Sequence, residues 1–136
     1  MRIVPYLLFN GNCEEALRFY EGVFGGQATI MRYSEAQGMP CPEGWEDKVL
    51  HAELTIEGHA VYFSDTPDAS AAGGGKNPEL TLEPDSEAQQ TAWFDGLALG
   101  GEVLSPLKDE FWGARFGQVA DRFGFNWSLN FQKVPM

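Results

Sequence analysis

Basic side chains are scarce in this chain: 9 lysines and arginines stand against 20 acids in 136 residues, for a formal charge of -11. A nucleic-acid partner needs a basic stripe to displace counterions from phosphate, and an anionic bilayer surface needs the same, so both are excluded as partners. Cysteine is rarer still. Cys13 and Cys41 lie far apart and form no C-x-x-C pair, which argues against a thiolate metal site and for reduced thiols in a cytoplasmic protein. Cys13 precedes a predicted helix, where N–H dipoles lower a thiol's pKa, although a buried, inert cysteine is the commoner case. No apolar run approaches a membrane span, and no basic region leads into an apolar one at the start, so neither a spanning segment nor a signal peptide is expected. An acidic surface favours solubility and steers cationic ligands.

Glycine and proline are plentiful, and they punctuate the chain. Arg2 to Phe9 reads as a strand, with Ile3, Val4, Tyr6, Leu7, Leu8 and Phe9 as β-formers or buried apolars and Pro5 at a position that needs no N–H. Asn10-Gly11-Asn12 breaks it. Asn12 is placed as an N-cap with Glu15 as its capping-box partner. Ala16, Leu17, Phe19, Tyr20, Val23 and Phe24 then recur at helical spacing until Gly25-Gly26. Gln27 to Tyr33 reads as a strand. Ser34 to Asp47 holds Gly38, Pro40, Pro42 and Gly44 without periodicity, so it is a long loop: either a flap that brings Met39 and Trp45 to a site, or a surface excursion.

From Val49 to Glu57 the chain alternates, with Leu50, Ala52, Leu54 and Ile56 on one face and His51, Glu53, Thr55 and Glu57 on the other. A turn at Gly58-His59 returns Ala60 to Ser64 as a hairpin partner. Thr66 to Asn77 is small and turn-forming and reads as a linker. Its Gly73-Gly74-Gly75-Lys76 run lacks the preceding strand and following helix of a phosphate-binding loop.

The second half repeats this order. Glu79 to Glu83 is a strand; Asp85 or Ser86 caps a helix, with Gln89 three beyond Ser86; Ala92, Trp93, Leu97 and Ala98 give its apolar face; Gly100-Gly101 ends it. A strand begins at Glu102 to Leu104, and Phe116 to Asp121, the turn Arg122-Phe123-Gly124 and Phe125 to Phe131 form a hairpin. Each half reads strand, helix, strand, strand, strand. Neither half alone buries a sheet well, so one domain is expected over 1–136, made of two modules, about 1–68 and 77–136, joined by the Gly/Ala-rich linker.

Three stretches carry a family likeness: Pro5-Tyr6-Leu7-Leu8-Phe9-Asn10-Gly11-Asn12 with Glu15-Ala16 and Phe19-Tyr20; Ser64-Asp65; and Phe111-Trp112-Gly113-Ala114-Arg115-Phe116-Gly117 through Asp121-Arg122-Phe123-Gly124 and Trp127. With them the chain resembles the vicinal oxygen chelate superfamily of glyoxalase I, extradiol dioxygenases and bleomycin-resistance proteins, and within it the PhnB-like branch. The resemblance implies an α+β fold of two βαβββ modules whose mixed sheet curls around a pocket, and a homodimer. It also implies four strand positions for metal ligands, usually His, Gln or Glu. In this chain those positions fall on Pro5, near Phe63 or Ser64, near Pro78 or Glu79, and on Ser128. A protein-bound divalent ion needs three or four suitable N, O or S ligands, so no metal, no cofactor, and no glyoxalase-type or dioxygenase chemistry are expected.

His51 is the candidate catalytic residue, an acid/base group beside Glu53, or else a strand histidine hydrogen-bonded near solvent. His59, in the hairpin turn, is expected to be exposed. Candidate ligand-binding residues are Phe9, Glu53, Ser64, Asp65, Phe111, Trp112, Arg115 and Ser128. Asp65 either closes a turn through an Asx bond or pairs with Arg115. Arg115, among Phe111, Trp112 and Phe116, either clamps an anionic or planar ligand or pairs with Asp109 or Asp121. Trp127 belongs to the core with Leu129 and Phe131, while Asn126, Ser128 and Asn130 form a polar row that offers hydrogen bonds but no activated nucleophile. Two functions compete: a protein that binds a small organic molecule without metal, and an isomerase- or lyase-type enzyme that uses His51, either metal-free or with rearranged ligands His51, Glu53 and Glu79.

Overall fold

The computed structural model describes residues 1–75 and 78–134. The chain divides into two compact units, Met1–Gly73 and Gly74–Met136. The first unit runs β1 (Tyr6–Phe9), α1 (Cys13–Phe24), β2 (Thr29–Arg32), a 3₁₀ turn (Tyr33–Glu35), β3 (Val49–Ile56), β4 (His59–Asp65) and a second 3₁₀ turn (Ala69–Ala71). The second runs β5 (Leu80–Leu82), α2 (Glu87–Ala98), β6 (Glu102–Asp109), β7 (Ala114–Ala120) and β8 (Asn126–Gln132). The sheet orders are β1-β4-β3-β2 and β5-β8-β7-β6. Each sheet is mixed: β1 lies parallel to β4 and β5 parallel to β8, and the remaining pairs are antiparallel. The fold is α+β, with the same connectivity in both units. No helix among the described residues is long and apolar enough to cross a membrane.

The period-two pattern of β3 decides which face of the first sheet is buried. Ala52, Leu54 and Ile56 are buried with Val61 and Phe63 of β4 and Leu7 and Phe9 of β1, against Ala16, Leu17 and Tyr20 of α1. The Tyr20 and Phe63 rings lie 5.8 Å apart in that layer. The hairpin turn sits one residue earlier than expected. Glu57 (φ 48°) and Gly58 (φ 83°) are its central residues, both with the positive φ of a type I′ turn, and His59 already belongs to β4.

In the second unit Trp93, Phe94 and Leu97 of α2 are buried, as are Val119, Trp127 and Leu129 of the sheet. Phe94 and Gln90 take places in the buried face that the spacing assigned to Ala92, which is exposed. Gly117 makes this layer possible: a Cβ there would stand 2.7 Å from Phe94 Cε2 and 2.9 Å from Leu107 Cδ2. The turn after β7 is closed by buried Asp121, whose Oδ1 accepts from the N–H of Phe123 and Phe125 and whose Oδ2 accepts from Trp127 Nε1.

Several boundaries differ from the expected ones for local reasons. β1 starts at Tyr6, not Arg2, because Pro5 has no N–H to continue the ladder; its carbonyl still accepts from Tyr62 N–H at 2.9 Å. β6 extends to Asp109 through Pro106, with register shifts on both sides of Ser105; as the outer strand of the sheet it tolerates proline. The residues expected to form a linker are tied down where they are described. Thr66 N–H donates to Phe9 O, Asn10 Nδ2 to Thr66 O, and Gly73 N–H to Leu8 O. Lys76 and Asn77 of that stretch lie outside the described residues. The 34–47 loop is pinned at its base, by Ser34 N–H to Glu46 O and by Trp45 packed edge-on to Tyr33 at 5.7 Å, while Met39 and Cys41 are exposed.

Candidate functional site

Strand alternation gives each sheet a face under its helix and a face turned away from it. In the first unit the helix-free face carries Tyr6, His51, Glu53, Tyr62 and Ser64, as the pairings Tyr6↔Tyr62 and Glu53↔Tyr62 require. Three rings meet there edge to face: Tyr6–His51 at 5.6 Å, Tyr6–Tyr62 at 5.7 Å and His51–Tyr62 at 4.9 Å. The Tyr6 hydroxyl and His51 Nδ1 are hydrogen-bonded at 2.8 Å. Arg2 Nη2 donates to the Tyr62 hydroxyl at 3.2 Å. Ser64 Oγ donates to Leu50 O at 2.6 Å. Partial burial pushes the Tyr6 phenol above its ordinary value, so it stays neutral at physiological pH. The result is a half-exposed surface of π faces, one imidazole and fixed hydroxyls. Rings of this kind can pack on apolar groups, and imidazole and hydroxyl side chains can donate or accept hydrogen bonds.

The alternation of β3 predicts His51 and Glu53 on this face, whereas Ser64 is a candidate only through the family resemblance. Sequence reading misses Tyr6, Tyr62 and Arg2. The first strand's residues read together as β-formers or buried apolars without a face for Tyr6, yet alternation with buried Leu7 and Phe9 puts it on the other side. The same signal was present for Tyr62, between buried Val61 and Phe63.

Phe9 and Asp65 lie under the helix, not on this face. Phe9 is 3 % exposed and stacks at 6.4 Å on Phe63. Asp65 is 1 % exposed. Its Oδ1 accepts from the N–H of Gly11 (2.8 Å) and Cys13 (3.0 Å), and its Oδ2 from that of Val49 (3.0 Å). Its carboxylate therefore closes the entrance to α1, where Asn12 makes no side-chain cap, and ties that entrance to β3. Burial, helped by the Asp65 charge, pushes the Cys13 thiol well up, so the helix terminus does not produce a reactive thiolate here.

In the second unit the helix-free face holds the polar row expected from β8. Ser128, 1 % exposed, is hydrogen-bonded to Thr81 Oγ1 at 2.8 Å. Asn130 Oδ1 accepts from Trp112 Nε1 at 3.5 Å, and Gln118 Nε2 donates to Glu79 at 3.0 Å. Trp112 packs edge-on to Phe116 at 5.7 Å, and Phe111, 96 % exposed, packs edge-on to Trp112. Arg115 lies on the other face. Its Nη1 donates to Thr91 Oγ1 (2.9 Å), Gln90 Oε1 (3.1 Å) and Glu87 O (3.4 Å) of α2. Gln90, a fully buried amide that sequence reading passed over, donates from Nε2 to Arg115 O (2.7 Å) and Leu129 O (3.0 Å). This guanidinium anchors the helix.

The residues at the positions that the family resemblance offers for metal ligands do not fit an ion. Proline offers no side-chain donor, the Ser64 and Ser128 hydroxyls are held by Leu50 O and Thr81, and Glu79 pairs with Gln118. Among the described residues no group of three or more His, Cys, Asp or Glu side chains is placed to hold a metal.

Residues 2–129 match the family model described as Glyoxalase/Bleomycin resistance protein/Dioxygenase superfamily, and the chain belongs to that superfamily. Among solved structures it is similar to protein PA1353 from Pseudomonas aeruginosa (39 % identity, TM-score 0.83, covering 97 % of this chain and 98 % of that one). It is also similar to the PhnB protein from Bacillus cereus (28 % identity, TM-score 0.79, 96 % and 99 % covered). Protein YjdN of Escherichia coli is 29 % identical over 144 residues, which span 98 % of this chain and 97 % of YjdN. The two-module α+β arrangement and the PhnB-like character are thus shared over nearly the full length.

Proposed function

We propose that this protein binds a small organic molecule, without a metal ion, on the helix-free face of its first sheet, against Tyr6, His51 and Tyr62 with Glu53 and Ser64 at the margin. The observation that carries this reading is the cluster of three rings joined by the 2.8 Å hydrogen bond between Tyr6 and His51. Large apolar surface with a few oriented polar groups is what a ligand site needs, and the charge of -11 favours a guest with a positive group. In the second unit the helix-free face, with Trp112 and Ser128 and with Phe111 beside Trp112, is a separate candidate for ligand contact. Phe9 and Asp65 support the first sheet through packing and capping, and Arg115 anchors the helix of the second unit.

The same hydrogen bond favours a second reading, metal-independent proton transfer at His51 in an isomerase- or lyase-type reaction. We place the protein in the cytoplasm as a homodimer; two free thiols suit a reducing compartment, and light scattering on the purified protein checks the dimer.

A thermal-shift screen of small organic cations, anions and neutral aromatics, run with and without a chelator, tests the main reading. A ligand present at one hundred times its Kd stabilises the folded state by about 2.7 kcal/mol, and a chelator leaves that shift unchanged. Tyr62→Ala is expected to weaken binding about tenfold, or roughly 1.4 kcal/mol. Hits that bind a Tyr6→Ala/Tyr62→Ala variant as well as the parent overturn the site. His51→Ala separates the two readings: under pure binding it changes affinity only a few-fold, whereas under proton transfer it abolishes turnover of the identified ligand.

A further inference from the structure

The three ring planes on the helix-free face of the first sheet are steeply inclined to one another. The interplanar angles are 67° for Tyr6–His51, 79° for Tyr6–Tyr62 and 69° for His51–Tyr62, and no two centroids are more than 5.7 Å apart. Rings set this way stand like walls that meet at a corner, and a single group of atoms can lie within about 6 Å of all three centroids, the reach of a cation–π contact. Tyr6 is 48 % exposed, so the corner reaches the surface.

Tyr6 heads a row that crosses the sheet. In it Tyr6 pairs with Tyr62, Tyr62 with Glu53, and Glu53 with Thr29. Side chains directly opposite on neighbouring strands start about 5 Å apart, and His51 lies two residues before Glu53 on the same face of β3. Glu53 therefore stands next to two of the three walls. The hydroxyls around the corner are engaged. That of Tyr6 is joined to His51 Nδ1, that of Tyr62 accepts from Arg2, and that of Ser64 donates to Leu50 O. Glu53 is the exception: half-buried in mid-strand, its carboxylate has no hydrogen bond or ion pair to any described residue. A partly desolvated carboxylate without a partner is stabilised by a positive charge brought beside it. Arg2 does not supply that charge, since it is fixed at the tip of Tyr62.

We infer that this corner is a seat for a methylated ammonium group, with Tyr6, His51 and Tyr62 around its methyls and Glu53 as its counter-charge. The inference rests on the ligand site proposed above and names the class of its guest. A primary ammonium carries three N–H donors, and Glu53, on one side of the corner, accepts only some of them; the rest lose their water without replacement. A quaternary ammonium has no N–H to satisfy and needs only ring faces and a counter-ion. A carboxylate in the same seat meets the negative faces of the rings and the charge of Glu53, and is excluded.

Three probes test this: choline, the uncharged alcohol in which carbon replaces its nitrogen, and ethanolamine. They share one hydroxyl and differ in the head group alone. Each is titrated into the protein above neutral pH, with binding followed by the ring resonances of Tyr6, His51 and Tyr62. Choline is expected to bind about tenfold more tightly than either of the others. Glu53→Gln is expected to weaken choline about tenfold and to leave the uncharged alcohol unchanged. Tyr62→Leu keeps apolar bulk but removes a ring face, and is expected to reduce the preference for choline over that alcohol. Parent-like melting temperatures show that both variants are folded. Equal affinity for choline and the uncharged alcohol overturns the inference, as do choline shifts that do not saturate, or choline binding that both substitutions leave unchanged. Screen hits that are neutral or anionic and depend on Tyr6 and Tyr62 would overturn the ammonium seat while upholding the proposed ligand site; an empty screen together with no choline binding would defeat both.

Discussion

In the first unit a carboxylate reaches from the end of β4 into the N-terminus of α1; in the second an amide reaches from inside α2 down into the sheet. Asp65 collects three backbone N–H groups, whereas Gln90 satisfies two backbone carbonyls and holds the Arg115 guanidinium. The helix entrances differ in the same sense. Ser86 caps α2 with its own hydroxyl on Gln89 N–H at 3.0 Å, and Gln89 Oε1 reaches back to Asp85 N–H at 2.9 Å. Asn12, at the matching place before α1, makes no such bond. One topology is thus held by two polar solutions, one local in sequence and one that closes over more than fifty residues. The lesson is that helix termini and sheet edges must be satisfied, but the fold does not dictate which residue does it.

Removing the long-range solution should break the comparison most visibly. Asp65→Ala strands three N–H donors, two of them buried, and is expected to destabilise the protein by about 3 kcal/mol, read from chemical denaturation. Asp65→Asn should rescue little of this, because both carboxylate oxygens accept hydrogen bonds and an amide turns one of them into a donor. Gln90→Leu leaves two carbonyls and a guanidinium without the amide, and a loss of about 1–2 kcal/mol is expected. The smaller value reflects that carbonyls tolerate under-satisfaction better than N–H groups do.

The caps sharpen the contrast at lower amplitude. Ser86→Ala should cost about 1 kcal/mol, while Asn12→Ala should stay within roughly 0.5 kcal/mol of the parent. An equal loss for both would show that Asn12 caps α1 in solution and that Asp65 does not stand in for it.

The smallest effect is electrostatic. Glu14 of α1 accepts from Arg32 Nη1 and Nη2, at 2.9 and 3.0 Å, and this pair holds its carboxyl below the usual glutamate value. A carboxyl lowered in the folded state contributes stability above its unfolded pKa and loses it as pH falls through the folded one. Glu14→Gln should therefore lower stability slightly at neutral pH, by roughly 0.5 kcal/mol or less because the pair is partly exposed and screened, and match the parent in acid, so that the acid limb of the stability–pH curve is flatter.

Much of this was legible in the chain. Both helices followed from spacing and glycine stops, and the polar row of β8 and the His51–Glu53 face of β3 followed from alternation, because a period-two pattern assigns faces without any knowledge of the partner strand. Arg115 was misleading for a specific reason. Its aromatic neighbours in sequence suggested a clamp, but β7 begins at Ala114, which puts Arg115 in phase with Gly117 and Val119, on the face that α2 covers. Tyr6 was hidden by an apolar run in which every residue looked equally buried. Gln90 was hidden because an amide on a helix reads as solvated until the partner carbonyls are known.

Residue order along the chain therefore determined the two βαβββ repeats, the position of each helix and the alternating faces, since these depend on local backbone preference and on burial periods of 2 and 3.6 residues. Only the tertiary structure decided that Asp65 serves the α1 entrance, that Arg115 and Gln90 lock α2 to its sheet, and that Tyr6, His51 and Tyr62 meet. Hydrogen bonds and ring contacts between residues 24 to 56 positions apart depend on strand register and order, and neither is encoded in the identity of the residues that use them.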